Sequence, residues 1–273
     1  MKYQLTGFIC AALLLGGCGG SDSKSKPKSS SSMMSMSSMM VASSSTVTMS
    51  SMASSQMVSS MAAMTELKYS ITVVNLTAGQ PFSPLTYSFH YSGFSAFTVG
   101  MPATTGLEKI AESGASDDFL AEAMANPDVV LADHVAGLIL PGQANMVNVH
   151  LNIEMAKISQ LQFSAVNMLG NTNDAFSGVN GVAIGELAVG ESLAINAMSY
   201  DAGTEMNSES HATIPGPAGG GEGFNATRDD MVNQVTMHPG VVTRDDGKMD
   251  STLSQMHRWD NPVARIIITR IAP

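Results

Sequence analysis

Residues 67–76 alternate, with Leu67, Tyr69, Ile71 and Val73 on one side and Lys68, Ser70 and Thr72 on the other. A period of two with β-branched residues predicts a half-buried strand. Asn75 and Ala78-Gly79 then turn the chain. Residues 83–90, 146–153, 161–167, 181–184, 191–200 and 264–271 are predicted as further strands, most of them bounded by Gly, Pro or Asn.

Two short helices interrupt the strands. One spans 107–112, with Thr104 and Thr105 ahead of it as caps and Gly114 behind it as a stop. The other spans 117–124 after a Ser116 cap, its first turn carrying acids that suit the helix dipole. There is no βαβ alternation and no phosphate-binding glycine loop, which excludes a nucleotide-binding α/β fold. The order predicts an all-β fold, a mostly antiparallel β-sandwich with short helical insertions.

The first residues change this picture. Lys2, the short apolar run 8–15 and Leu15-Gly16-Gly17-Cys18 read as an export signal, too short to span a bilayer. Small residues ahead of Cys18 match a bacterial lipoprotein signal, with 1–17 removed and Cys18 acylated; an ordinary cleaved signal is the alternative. Gly19 follows in place of an inner-membrane retention Asp. The chain is therefore expected to be exported and lipid-anchored to a bacterial outer membrane, facing the periplasm or the surface. The only other cysteine, Cys10, lies inside the signal, so the mature chain is expected to carry no disulfide.

Residues 18–65 are rich in Ser and Met and lack a periodicity that would bury a face, so a disordered tether is expected. By flexible-linker scaling its span is roughly 40 Å. Its methionines offer soft ligands to Cu(I), or serve as spacers and oxidant scavengers. From residue 66 to 273 the composition is that of one folded domain. Nine Lys and Arg stand there against 22 Asp and Glu, a net charge of −13. That balance argues against nucleic acid as a partner and favours cation capture.

Two acidic segments carry the candidate chemistry. Asn173-Asp174-Ala175-Phe176-Ser177-Gly178-Val179 and Tyr200-Asp201-Ala202-Gly203-Thr204-Glu205 each follow a strand-like run. Carboxylates beside a turn are how a β-domain holds a hard cation such as Ca²⁺. Gly203 has the backbone freedom to fold Asp201 and Glu205 toward one point. Alternatively, Asp201 caps the amides of a solvated turn. Glu209 and Asn173 are weaker candidate ligands. Residues 244–250 lack the alternating acids of an EF-hand and read as a mobile acidic hairpin turn. The six histidines are scattered without a His-Glu-x-x-His pattern, and no Gly-x-Ser-x-Gly elbow appears. Trp259, the only tryptophan, is expected to be a partly buried packing residue.

In shared order, several segments resemble the spondin amino-terminal domain family (F-spondin/mindin-like). They are Ser83-Pro84-Leu85 with His90, Gly106-Leu107 through Ala111-Glu112-Ser113-Gly114, residues 161–168 followed by Asn173-Asp174, Asp201-Ala202-Gly203-Thr204-Glu205 with Ile214-Pro215, and Pro262-Val263-Ala264-Arg265-Ile266-Ile267-Ile268-Thr269-Arg270-Ile271. The resemblance implies a C2-like β-sandwich whose calcium ligands are Asp174, Asp201 and Glu205. Glu205 stands where the family has Asp, Ala175 replaces a Trp, and the cysteines of animal members are missing.

The resemblance further implies a non-enzymatic adhesion or recognition module. It would be held to the membrane by its lipid and would meet a surface or matrix protein or a glycan. Two other readings stay open: a surface hydrolase using the acidic loop residues, and a purely structural envelope lipoprotein.

Overall fold

Alternation in the first strand sets the architecture. The computed structural model describes residues 62–273. In β1 (Met64–Asn75), Leu67, Tyr69, Ile71 and Val73 are buried and the residues between them are only half-buried. The strand starts two residues ahead of the boundary expected at residue 66. The signal segment, Cys18 and the Ser/Met-rich stretch to residue 61 lie outside the described residues.

Along the chain follow β2 (Leu85–His90), α1 (Thr105–Ser113), α2 (Asp117–Ala125), β3 (Val129–Val135), β4 (Ala144–Glu154) and β5 (Gln162–Met168). After these come β6 (Ala175–Ala183), β7 (Ser192–Asp201), the short β8 (Thr236–Met237) and β9 (Ala264–Ile271). Every pairing is antiparallel, in the order β3-β2-β5-β6-β7-β9-β1-β4, with β8 against β7. Strand β7 belongs to both halves of the sheet. Its residues 192–197 pair with β9, and Met198 to Asp201 pair with β6.

The two halves face one another as an all-β sandwich. Tyr69 of β1 and Phe89 of β2 are far apart in strand order, yet their rings lie 5.5 Å apart between the sheets. Around them Tyr87, Phe163, Leu151, Ile266 and Ile268 complete one continuous apolar core. A second cluster lies outside the β2-β5-β6 half, where Leu107, Ile110 and Phe119 of the helices cover Val166 and Phe176. β2 and most of β5 are therefore buried on both faces.

Both helices form where the caps and acids place them, with one difference. Thr104 accepts the Leu107 N–H at 3.2 Å, and Gly114 closes α1 with φ +72°. Ser116 makes no side-chain cap bond; its backbone is already helical, so its hydroxyl is not turned toward the first amides.

Three other expectations need correction. β3 was not predicted, because its residues 129–132 are half-buried without alternation. β6 begins at Ala175 rather than 181. Its first five residues are buried under Phe97 and the core, so no polar face marks them as strand. Residues 244–250 are not a hairpin. They open with a 3₁₀ turn in which Asp246 Oδ2 accepts from Thr243 N–H and Oγ1 at 2.9 and 2.8 Å.

Candidate functional site

Antiparallel pairing brings the two acidic segments together. Asp174 immediately precedes β6, Asp201 ends β7, and Ala175 sits opposite Asp201 in the ladder. Past Asp201 the chain reverses at Gly203, whose φ of +69° belongs to the left-handed region. A Cβ there would collide with the backbone of Gln234.

This turn wraps around Asp174. Its Oδ2 accepts from Thr204 N–H at 2.8 Å, Thr204 Oγ1 at 3.2 Å and Glu205 N–H at 3.1 Å. Asp174 is fully buried, and its Oδ1 has no hydrogen-bond partner. Glu205 is buried as well, and its Oε2 also lacks a partner.

Helix α1 adds a third carboxylate that the sequence reading did not single out as a ligand. Glu112 is fully buried. Its Oε2 accepts from Asn225 N–H at 2.9 Å, while Oε1 has no partner. The signal was present: in α1, Glu108 and Glu112 share a side with Leu107 and Ala111, all of them buried. Glu108 is the neutralised member, held by Arg228 through two bonds of 3.0 and 2.7 Å.

Burial dominates the electrostatics. It pushes Asp174 up to about 7, reinforced by the Asp201 carboxylate and opposed by the three donors on Oδ2. Glu205 is pushed up to about 8, first by burial and then by Glu112 and Asp174. Glu112 is raised by burial too. Three carboxyl groups thus each hold a desolvated oxygen that nothing in the protein satisfies, a costly arrangement unless a proton or cation joins them.

Asp201 plays a different part. Its Oδ1 accepts Gly203 N–H at 2.7 Å and its Oδ2 accepts Asn207 Nδ2 at 2.6 Å, so it caps the turn, although the turn is buried and not solvated. Behind it stands buried His238. Nδ1 of that ring accepts Gly240 N–H at 3.0 Å, which leaves the proton on Nε2. Burial lowers His238 to about 4, against the pull of Asp201.

The weaker candidates are committed elsewhere. Glu209 accepts Val242 N–H at 3.2 Å and lies 3.8 Å from Lys248 Nζ. Asn173 donates to Thr213 and Ser208. His150 meets Glu66 on the exposed face of the sheet at 3.2 Å.

No model of a known protein family matches the chain, and no curated protein matches it either.

Among the described residues, no three His, Cys, Asp or Glu side chains stand close enough to hold a metal ion between them. A cation at this turn would therefore draw on fewer carboxylates, with neutral oxygens completing its shell. Calcium accepts such a set, since hydroxyl, carbonyl and water oxygens serve it as well as carboxylates. The partnerless oxygens of Asp174 and Glu205 fit a hard cation and offer nothing to a soft one.

Proposed function

We propose that this chain is a calcium-binding β-sandwich of the bacterial cell envelope, lipid-anchored through Cys18, and that it works as an adhesion or recognition module. The observation that carries the reading is the pair of buried, partnerless oxygens, Asp174 Oδ1 and Glu205 Oε2, at one turn. Residues 173–174 and 201–205 are also the segments that resemble the metal loops of the spondin amino-terminal domain.

The ligands in this reading are Asp174 and Glu205, whose two carboxylates balance the ion's two charges, and Glu112 adds a further negative charge nearby. Asp201 contributes by holding the Gly203 turn in shape, through its bond to the Gly203 amide. A bound Ca²⁺ would supply the positive charge that this end of the sandwich lacks. It would also fix the long segment 202–235, whose Asn225 rests on Glu112 and whose Asp229 N–H donates to Thr204 O at 3.1 Å. An ordered loop surface is what a recognition module presents to its partner. Among the described residues, no helix is long and apolar enough to cross a membrane, so the lipid at Cys18 supplies the attachment in this reading.

The test is calorimetric titration of the full chain with Ca²⁺, for wild type and Asp174→Asn. Saturable binding in wild type that is absent in the variant supports the reading. Equal heats in both overturn it. A pull-down from envelope or matrix extracts, with and without chelator, then asks for a calcium-dependent partner.

A further inference from the structure

A second site lies beyond the acidic turn, around the only tryptophan. Pro239, Gly240, Val241, Arg258, Trp259 and Asp260 line a cleft of about 380 Å³. That is within the range of sites for small ligands, roughly 300–1,000 Å³.

The tryptophan is fixed from behind. Its indole N–H donates to Ser199 Oγ at 3.0 Å, and the His238 ring lies against it at 5.2 Å. The same side chain packs on the sandwich core and on the small cluster of Ile214, Val241 and Leu253. The ring therefore meets the cleft as a rigid wall whose polar edge is already satisfied.

Arg258 is oriented as well, its Nη2 lying 3.0 Å from Asp246 Oδ2. Asp260 at the rim is exposed. The cleft thus combines an aromatic face, a planar guanidinium and a carboxylate, with backbone from a Pro-Gly turn.

From this geometry we propose that the cleft is a subsite for a neutral saccharide. A pyranose presents a C–H face that packs on an indole, and a rim of hydroxyls that both donate and accept. Arg258 offers donors only, and the Asp260 carboxylate offers acceptors only. Charge argues for a neutral ligand. The guanidinium is already paired with Asp246, Asp260 adds a negative charge, and the domain as a whole is acidic. Phosphate or uronate would meet repulsion here. A neutral apolar ligand would make no use of the polar rim that Arg258 and Asp260 provide.

The proposal gives the recognition module a partner class, a glycan. It does not depend on calcium, because none of the cleft residues belongs to the acidic turn.

The experiment uses the single indole as its own reporter. Tryptophan emission of the full chain is followed while chitotriose, maltotriose, a mannotriose and a galactose-terminated trisaccharide are added. Each is taken to about 10 mM, where a millimolar Kd still registers. A uronic acid trisaccharide and an acidic peptide serve as controls. A saturable shift with at least one neutral sugar is expected, weakened tenfold or more in Arg258→Ala and in Asp260→Ala, both of which keep the indole. Trp259→Phe, read by calorimetry on the folded fraction, should lose binding and also melt lower, because the buried Ser199 hydroxyl loses its partner.

No saturable change with any neutral sugar overturns the proposal, as does a response confined to the peptide or the uronate. Sugar binding that persists in Asp174→Asn supports this site even if calcium binding has failed.

Discussion

Asp174 Oδ2 lies 2.8 Å from the Thr204 amide, 30 residues further along the chain, and that bond closes the turn between β7 and the long segment after it. The other oxygen of the same carboxylate is equally buried and has no partner. One end of the side chain is structural, and the other is available for chemistry.

The first prediction separates these two roles. In chelator at pH 8, where Asp174 is ionised, Asp174→Asn should melt at or above the wild-type temperature, because the amide removes a desolvated negative charge. With Ca²⁺ only the wild type should rise. The expected gain is about 3–4 kcal/mol at a hundred to a thousand times the Kd. Asp201→Ala should instead lose about 1 kcal/mol in chelator, the worth of a capping bond, and weaken calcium binding through the turn. Differential scanning calorimetry reads both.

The second prediction concerns pH. Asp174 moves from 3.8 up to about 7, and Glu205 from 4.5 up to about 8. Between those limits the folded chain binds more protons than the unfolded one, so without divalent cations its stability falls as pH rises from about 4 to about 8. His238 acts in the opposite sense. Lowered from 6.5 to about 4, it removes stability as pH falls through that interval. Stability in chelator should therefore peak on the acid side of neutrality. Added Ca²⁺ should restore stability most at pH 8, and its binding should weaken below about 8 as protons compete, first for Glu205 and then for Asp174. Melting curves at several pH values with and without Ca²⁺ check this; a flat calcium effect across pH would contradict it.

Gly203 gives a third test. A side chain at φ +69° is strained, and its Cβ would strike Gln234. Gly203→Ala should cost about 1–3 kcal/mol through backbone strain and reduce calcium affinity with it. Unchanged stability would mean the turn readily takes another shape.

The fourth prediction concerns the ion pair between Arg228 and Glu108 of helix α1. Arg228 neutralises Glu108, whose side chain is only 5% exposed. Arg228→Ala leaves that charge buried and unpaired, at an expected cost of about 3 kcal/mol. Adding Glu108→Gln should recover part of the loss. Urea unfolding of the two variants measures the difference.

Core packing supplies the fifth. The Phe89 ring lies 5.5 Å from those of Tyr69 and Phe163 and 6.0 Å from that of Tyr87. Phe89→Ala should cost about 3–5 kcal/mol without touching the acidic turn, so calcium affinity in the folded fraction should stay unchanged.

The sequence by itself determined the elements whose two faces differ. β1 and β4 alternate because one side meets the core and the other faces outward, and α1 is bounded by Thr104 and Gly114 for local reasons. Cap chemistry and a period of two are properties of neighbouring residues, so they can be read along the chain.

What only the tertiary structure decided are the relations between distant residues. The first half of β6 gives no alternation because Phe97 and the helix-lined cluster cover its outer face. Glu112 looks like an ordinary helix acid until α1 is laid across β5 and β6. Asp201 and Asp174 look equivalent in the sequence. Only the fold assigns one to the Gly203 amide and leaves the other with a bare, buried oxygen. The reason is physical: desolvation and partner loss depend on what packs from elsewhere in the chain, and the local sequence does not encode that.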